Sequence, residues 1–200
     1  SGGCPVTLNY PNKEEHISNI VEHLHGLLMV GGPDLPADVY GSTNPELIDK
    51  DQMSKEREFF DREVFLETLK QGKKVLAVCA GLQHVNIVFG GTLTEDISTL
   101  IPGAVDHGTF NGEYSVHEVK IEKESKLFNV LGVESVSVAS THHQCVNKLG
   151  DNIVSVASSS DGVVEAIEIE NQKNFIGVQW HPELIKQSEE TKKLFSWLLS

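Results

Sequence analysis

The segment that most constrains the fold covers residues 73–91, KKVLAVCAGLQHVNIVFGG. It begins with a short apolar run at 75–78 and continues, after Cys79, with apolar residues such as Leu82 and Val85 at helical spacing. A strand that turns directly into a helix is the unit from which sheets covered by helices are built. The segment therefore predicts an α/β fold, with Cys79 at the N-terminus of a helix.

The predicted turn displays Cys79 in a way that suits a nucleophile. Ala80 and Gly81 have little or no side chain, so the backbone can bend tightly after the cysteine. A helix N-terminus favours negative charge, which favours the thiolate form of a cysteine held there. For a lone cysteine, the simpler interpretation is a small buried apolar residue at the end of a strand.

Other segments repeat the alternation of strand and helix. Residues 27–30 form a continuous apolar run, which is typical of a parallel strand covered on both faces. Periodicity predicts helices over 14–24, 55–69 and 188–199, and strands over 4–10, 117–121, 135–139, 153–157, 163–169 and 175–179. We predict one domain over residues 1–200, with an open, mostly parallel sheet, helices on both faces and a small antiparallel β portion.

The charge balance limits the partners of the chain. Its 16 basic and 29 acidic residues give a net charge of −13, and nucleic acid and anionic membrane surfaces repel so acidic a protein. Cys4, Cys79 and Cys145 are too few and too scattered for a disulfide framework or a zinc site. We expect a cytoplasmic protein with a small-molecule partner, no metal and no cofactor; a homodimer stays open.

The run Trp180-His181-Pro182-Glu183 offers a base and an acid. Pro182 favours an extended backbone at His181, and residues two apart along an extended backbone face the same side. The Glu183 carboxylate can then hold one imidazole nitrogen of His181 and leave the other to face a nucleophile. With Cys79 these residues would form a catalytic triad. The simpler interpretation is a surface turn with a chance ion pair.

The Gly31-Gly32-Pro33 turn follows the apolar run at 27–30. Glycines at the carboxyl end of a parallel strand lie where open α/β sheets bind ligands. One backbone N–H from this turn and the N–H of Ala80 would form an oxyanion hole. A plain turn is the alternative. From the residues alone, the chain is predicted to be a cysteine hydrolase or acyltransferase of unidentified substrate.

These motifs resemble those of the class I glutamine amidotransferase-like proteins. That family carries a C-x-G-x-Q motif, here at 79–83, a W-H-P-E run, here at 180–183, and a glycine-rich turn, here at 31–33. Within the family the chain is most similar to the γ-glutamyl hydrolase branch, peptidase family C26, and there to the γ-glutamyl-γ-aminobutyrate hydrolases. The resemblance implies a flavodoxin-like sheet and indicates that the family's first strand and helix are lacking here.

The resemblance also implies a mechanism. Cys79 would attack the carbonyl of a γ-glutamyl amide, while the N–H groups of Gly32 and Ala80 hold the oxyanion. His181, oriented by Glu183, would protonate the leaving amine and then activate water to release glutamate. Relatives often carry an arginine where this chain has Ala80, which leaves the identity of the substrate open.

Three further residues are candidates for binding the substrate. Gln83 lies one helical turn after Cys79 on the same side, so it is placed to touch the glutamyl end; capping or packing is the alternative. His142 and His143 occupy a polar tip, and one of them would line the pocket, as the resemblance suggests. Adjacent side chains in an extended segment point in opposite directions, so this pair makes a poor metal site.

Two alternatives to a stand-alone hydrolase remain. The chain could be a glutaminase subunit that supplies ammonia to a synthetase, or a binding protein without catalysis. Among the other polar residues, Arg57 and Asp61 are expected to form a surface ion pair, with a support role near the active site as the alternative that the resemblance implies. Glu165 is expected to lie on a solvated face, with a position toward the pocket as the alternative. His107 and His117 are assigned no partner.

Overall fold

A seven-stranded sheet organises the part of the chain that the computed structural model describes, residues 2–8, 16–108 and 114–200. The strands are β1 (Gly26–Met29), β2 (Lys74–Val78), β3 (Thr92–Thr94), β4 (Ser115–Ile121), β5 (Ser135–Ser140), β6 (Cys145–Lys148), β7 (Ile153–Ser159), β8 (Val164–Ile169) and β9 (Phe175–Val178). The order across the main sheet is β1-β2-β9-β8-β7-β4-β5, and β3 pairs with β6 in a small second sheet.

Parallel pairing lies on one side of the main sheet. β1 pairs in parallel with β2, and β2 with β9. The pairs from β9 through β8, β7 and β4 to β5 are antiparallel. The predicted α/β class, with parallel strands and an antiparallel portion, is confirmed. The antiparallel portion is larger than expected, and it continues the main sheet through the β8–β9 pair.

Four of the helices in the described part of the chain begin at a capping side chain. The helices are α1 (Ile17–Glu22), α2 (Ala37–Tyr40), α3 (Lys55–Lys70), α4 (Ala80–Val88), α5 (Ile97–Leu100), α6 (Lys126–Leu131) and α7 (Glu189–Leu198). Ser54, Asp96, Ser125 and Ser188 each accept a hydrogen bond from a backbone N–H in the first turn of the helix that follows. Within the described residues, no helix has both the length and the apolar character needed to cross a bilayer.

Strand β2 shows how helices cover both faces of the sheet. Leu76 and Val78 belong to a core cluster that also contains residues of α6 and α7. Val75 and Ala77 point the other way, into a cluster with residues of α3 and α4. Successive side chains of a strand face opposite sides, so a strand packed on both faces is apolar throughout, as its sequence predicted.

Two local predictions were wrong. The strand expected over 4–10 is absent from residues 4–8, where Val6 is exposed and no neighbouring strand pairs with the backbone; residues 9 and 10 lie outside the described part. The sequence pattern assigns no helix or strand to the irregular stretch 92–109, whereas the structure places β3 and α5 within 92–100; residue 109 lies outside the described part. Strand β3 has three residues, too few to show periodicity, and its partner β6 lies more than 50 residues further along the chain.

Candidate active site

The parallel strands end at one edge of the main sheet, and each leads to a segment of the predicted site. β1 leads to the Gly31-Gly32 turn, β2 to Cys79, and β9 to His181. This is the edge at which open α/β sheets bind ligands. The topology therefore brings together three segments that are far apart in the sequence.

Cys79 occupies the turn between β2 and α4 in an unusual backbone conformation, with φ 51° and ψ −113°. A positive φ is uncommon for a residue with a side chain, and such strain concentrates at active sites. The Cys79 N–H donates to the carbonyl oxygen of Val178 at 2.8 Å, and the Cys79 carbonyl accepts from the N–H of Gln83 at 3.1 Å. Hydrogen bonds on both sides of the residue hold this strained turn in place.

Gly81 explains how α4 can approach β1 so closely. A methyl group built on Gly81 would lie 2.6 Å from the carbonyl oxygen of Met29, which is shorter than any ordinary contact. Only glycine fits at this position without a shift of the backbone. The small residue expected from the motif therefore sets the distance between the cysteine turn and β1.

His181 and Glu183 form the pair that the sequence predicted. His181 Nδ1 lies 2.6 Å from Glu183 Oε1, and the backbone N–H of His181 donates to the carbonyl oxygen of Ala139 at 2.9 Å. The predicted extended geometry is only partly right. His181 has φ −103° and ψ 88°, but Glu183 lies in a short 3₁₀ turn, Pro182–Leu184, which folds its carboxylate back onto the ring.

Hydrogen bonds outweigh burial in setting the charge of His181. Burial lowers its pKa, but the hydrogen bonds with the side chains of Cys79 and Glu183, together with their charges, raise the pKa to about 10. For Glu183, burial raises the pKa, while the hydrogen bond and positive charge of His181 bring it below its ordinary value. At neutral pH the geometry therefore favours an imidazolium held by a carboxylate.

Gly31 lies beside both Cys79 and His181. A methyl group built on Gly31 would be 3.5 Å from Cβ of Cys79, 3.0 Å from Cε1 of His181 and 3.7 Å from its Nε2. The cysteine and the imidazole thus share one neighbour, and a side chain at position 31 would crowd both. Ala80 is the first residue of α4, so its N–H is among the helix-start donors that have no partner within the helix.

Arg57 of α3 lies over the glycine turn. Its Nη2 donates to the carbonyl oxygen of Gly31 at 3.4 Å, and its Nε donates to Asp61 Oδ2 at 3.1 Å. A methyl group built on Gly32 would be 2.6 Å from Nη1 of Arg57. The ion pair expected between Arg57 and Asp61 is present, and it also holds the turn that carries the Gly32 N–H.

Gln83 packs into a buried group of glutamines. Its Nε2 donates to the carbonyl oxygen of Gln144 and to Oε1 of Gln179, both at 3.1 Å. Gln83 therefore has the packing role that was given as the alternative to contact with the substrate. Nε2 of Gln179 and both side-chain polar atoms of Gln144 are buried and have no hydrogen-bond partner in the described part of the chain.

His142 and His143 point in opposite directions, as predicted. His143 Nε2 lies 3.0 Å from Asp34 Oδ2, in the glycine turn segment, and its Nδ1 lies 3.3 Å from Asp96 Oδ2. His142 is buried, and its Nδ1 faces the carbonyl oxygen of Gln144 at 2.9 Å. His143 thus contacts the segment that follows β1, whereas His142 faces the interior.

Three expectations about polar residues were wrong. Glu165 is fully buried instead of solvated, and His107 and His117, to which no partner was assigned, lie beside it. His107 also pairs with Asp161 at 2.9 Å. The available signal was Glu165 within the otherwise apolar run at 163–167, because such a strand is covered on both faces.

The chain is similar to known proteins over most of its length. The peptidase C26 family model matches residues 1–183. A Lactococcus lactis subsp. lactis protein, YvdE, described as a candidate glutamine amidotransferase-like protein, is 34% identical over 197 residues, which is 96% of this chain and 80% of that protein. The γ-glutamyl-γ-aminobutyrate hydrolase of Escherichia coli O157:H7 is 28% identical over 193 residues, or 92% of this chain and 74% of the hydrolase.

A solved structure shares the fold. It is that of a candidate GMP synthase protein from Thermoplasma acidophilum, with a TM-score of 0.61 and 16% sequence identity. The superposition covers 91% of this chain and 74% of the other. At this level of identity the likeness shows the α/β architecture alone.

Proposed function

Because this chain belongs to the peptidase C26 family of class I glutamine amidotransferase-like hydrolases, we propose that it hydrolyses γ-glutamyl amide bonds through a thioester on Cys79. The observation that carries the proposal is the strained Cys79 at the head of α4, hydrogen bonded to the His181 ring that Glu183 holds at 2.6 Å. The products are glutamate and an amine.

In the first half of the reaction, the Cys79 thiolate attacks the γ-carbonyl carbon. The C–S bond forms as the carbonyl electron pair moves to oxygen, and the N–H groups of Gly32 and Ala80 stabilise that oxyanion. The C–N bond then breaks, and the imidazolium of His181 gives its proton to the departing nitrogen. A γ-glutamyl thioester and a free amine result.

In the second half, water replaces the sulfur. Neutral His181 accepts a proton from the water molecule as its oxygen bonds to the thioester carbon. Collapse of the second oxyanion breaks the C–S bond, which releases glutamate and regenerates the thiolate. Glu183 keeps the ring oriented and stabilises its positive charge in both halves.

The buried amides near α4 support a polar substrate. Gln144 and Gln179 carry buried side-chain atoms that find no partner among the described residues, and Gln83 joins the two. Unpaired buried donors and acceptors cost free energy, which a bound glutamyl group with its own amino and carboxylate groups could offset. His143, half-buried beside Asp34, is the proposed outer contact.

A glutaminase role is the second candidate, because the relatives named above include a glutamine amidotransferase-like protein. The chemistry on Cys79 would be the same, with ammonia as the leaving group. Such an enzyme would prefer free glutamine and would need a partner synthetase to use the ammonia.

The test is a release assay over a panel of γ-glutamyl amides, with glutamine included, in which mass spectrometry measures glutamate and each amine. We expect several γ-glutamyl amides to be cleaved faster than glutamine, with loss of all release in Cys79→Ala and full release in Cys4→Ala, an exposed cysteine outside the site. Exclusive cleavage of glutamine would favour the glutaminase role. Equal release by both variants would exclude Cys79 as the nucleophile.

A further inference from the structure

Four ligand-type side chains from distant parts of the chain converge in the interior beside β8. They are His107, His117 of β4, His142 and Glu165 of β8, and one donor atom of each lies within 4.8 Å of the others. His107, His142 and Glu165 are buried, and His117 is nearly so. None of them takes part in the mechanism proposed for Cys79.

We propose that this cluster, the His107/His117/His142/Glu165 cluster, is a four-coordinate structural site for Zn²⁺ or a similar divalent transition metal. Imidazole nitrogens and a carboxylate oxygen are ligands that such ions accept in proteins. With four protein ligands and little exposure, the site is closed, which is typical of structural zinc.

The distances around Glu165 fit that geometry. Its Oε1 lies 3.2 Å from His107 Nδ1, 3.5 Å from His117 Nε2 and 3.8 Å from His142 Nε2. Ligand atoms about 2.0–2.1 Å from a tetrahedral Zn²⁺ are about 3.3–3.4 Å apart. The three distances lie within about 0.5 Å of that spacing, and all four ligand atoms lie within 4.8 Å of one another. His117 Nε2, which now lies 2.8 Å from Ser140 Oγ, would exchange that hydrogen bond for the ion.

In His107 and His142, the ring nitrogen that faces away from the cluster already has a hydrogen-bond partner, as a zinc ligand requires. His142 Nδ1 donates to the carbonyl oxygen of Gln144 at 2.9 Å, and His107 Nε2 lies 2.9 Å from Asp161 Oδ2. A metal-bound histidine almost always donates its other N–H to a carbonyl or a carboxylate, which fixes the ring and its tautomer. In both rings, the opposite nitrogen faces the centre of the cluster.

The facing atoms are close to one another but make no hydrogen bonds that would offset their burial. His107 Nδ1, His142 Nε2 and both oxygens of Glu165 are buried without a hydrogen bond in the described chain. Since the Gln144 carbonyl can only accept, the proton of neutral His142 is on Nδ1 and its Nε2 presents a lone pair toward a carboxylate. A cation between these atoms would bind His107 Nδ1, His142 Nε2 and Oε1 of Glu165 at once.

The alternative is a metal-free ion pair. His107 Nδ1 lies 3.2 Å from Glu165 Oε1 and its Nε2 lies 2.9 Å from Asp161 Oδ2, so a protonated ring would form an ion pair on each side. A protonated His107 would neutralise Glu165 without metal. It would leave the lone pair of His142 unsatisfied, which is why the geometry favours the ion.

The experiment measures metal content and coordination in the full chain. Because a thiolate beside an imidazole also binds zinc, titrations use Cys79→Ser protein alongside wild type. After removal of metal by a chelator, Zn²⁺ is added in competition with a chromophoric chelator, and bound zinc is counted by mass spectrometry. Co²⁺ is added in parallel, because its visible spectrum distinguishes four-coordinate from six-coordinate sites.

We expect one equivalent of tightly bound Zn²⁺ per Cys79→Ser chain, a four-coordinate Co²⁺ spectrum and a higher Tm with Zn²⁺. His142→Gln and Glu165→Gln should weaken Zn²⁺ binding at least 10- to 100-fold, whereas the exposed control His25→Gln should not change it. His143→Gln tests the separate group around Asp34 and should also keep the equivalent.

Several results would overturn the proposal. They are less than one equivalent bound by Cys79→Ser protein, a six-coordinate Co²⁺ spectrum, or loss of the equivalent in His143→Gln but not in His142→Gln. If His142→Gln or Glu165→Gln does not fold, the spectrum and Tm of the Cys79→Ser protein still decide. An active enzyme without bound zinc would leave the proposed hydrolase intact and exclude the site, so the two proposals can fail separately.

Discussion

His181 Nδ1 lies 2.6 Å from Glu183 Oε1, because the 3₁₀ turn Pro182–Leu184 folds the carboxylate back onto the imidazole ring. The carboxylate fixes which ring nitrogen carries a proton, and this leaves Nε2 for the nucleophile. Glu183 is therefore a positioning residue in this account, acting through the imidazole.

Glu183→Gln should lower kcat by roughly 100- to 10,000-fold, because the ring loses the charge that orients and stabilises its protonated form. The carboxylate raises the pKa of His181, which is about 10 in the intact site. Its removal lowers that pKa, so the alkaline limb of the kcat profile should move to lower pH. An unchanged alkaline limb in the variant would contradict the assignment. Circular dichroism checks that the variant is folded.

Arg57→Met should lower kcat/KM by about tenfold or more, since the guanidinium holds the Gly31 carbonyl and lies against Gly32. Arg62→Met is the matched control on the same helix, because Arg62 pairs with Glu58 and Glu63 instead of the turn. Steady-state kinetics on both variants make the comparison. Equal losses in the two would show that Arg57 has no special role in positioning the turn.

Gly81→Ala should destabilise the protein by about 1–3 kcal/mol and reduce activity together, because the added methyl group would lie 2.6 Å from the Met29 carbonyl oxygen. Urea unfolding gives the free energy. Ser196→Ala, at an exposed position of α7, is the control. It adds no new Cβ and should change neither the free energy of unfolding nor the activity. A Gly81→Ala protein as stable and active as wild type would mean that α4 and β1 are further apart than the structure places them.

Gln83→Met should lower the free energy of unfolding by about 1–3 kcal/mol, since it removes the donor to Oε1 of Gln179 and one of the two donors to the buried Gln144 carbonyl, of which His142 remains. If Gln83 also contacts the glutamyl group, KM should rise while kcat changes less. Denaturant titration and kinetics separate the two effects. A variant with unaltered stability would argue against the packing seen in the structure.

The sequence was sufficient for features that depend on neighbouring residues. Helix α3 and the turn at Cys79 follow from periodicity and from Gly81. The His181–Glu183 pair was predicted from the spacing of two residues, but a 3₁₀ turn forms it instead of a fully extended backbone. These patterns are local, so a single sequence reveals them. The edge of the sheet then brought the three site segments together, as the parallel strand order requires.

Features that depend on distant pairing could not be predicted. Glu95 is one example. Burial raises its pKa, but hydrogen bonds donated by Ser42, Thr43 and Asn44, more than 50 residues earlier in the chain, lower the pKa to about 2. Glu165 looked solvated because nothing near it in the sequence balances its charge. Its imidazole neighbours are His117 of β4, His107 of the loop before β4, and His142, which follows the end of β5. The order of strands that brings them together is not readable from one sequence.

The most direct test of the central claim is to trap the covalent intermediate. Protein mixed with a γ-glutamyl amide is quenched in acid within the first turnover, and intact and peptide masses are measured. We predict a γ-glutamyl adduct on the peptide that contains Cys79, removable by hydroxylamine as a thioester is, and absent from Cys79→Ser protein. Steady release of glutamate with no adduct on Cys79, and with undiminished release by Cys79→Ser, would contradict the account.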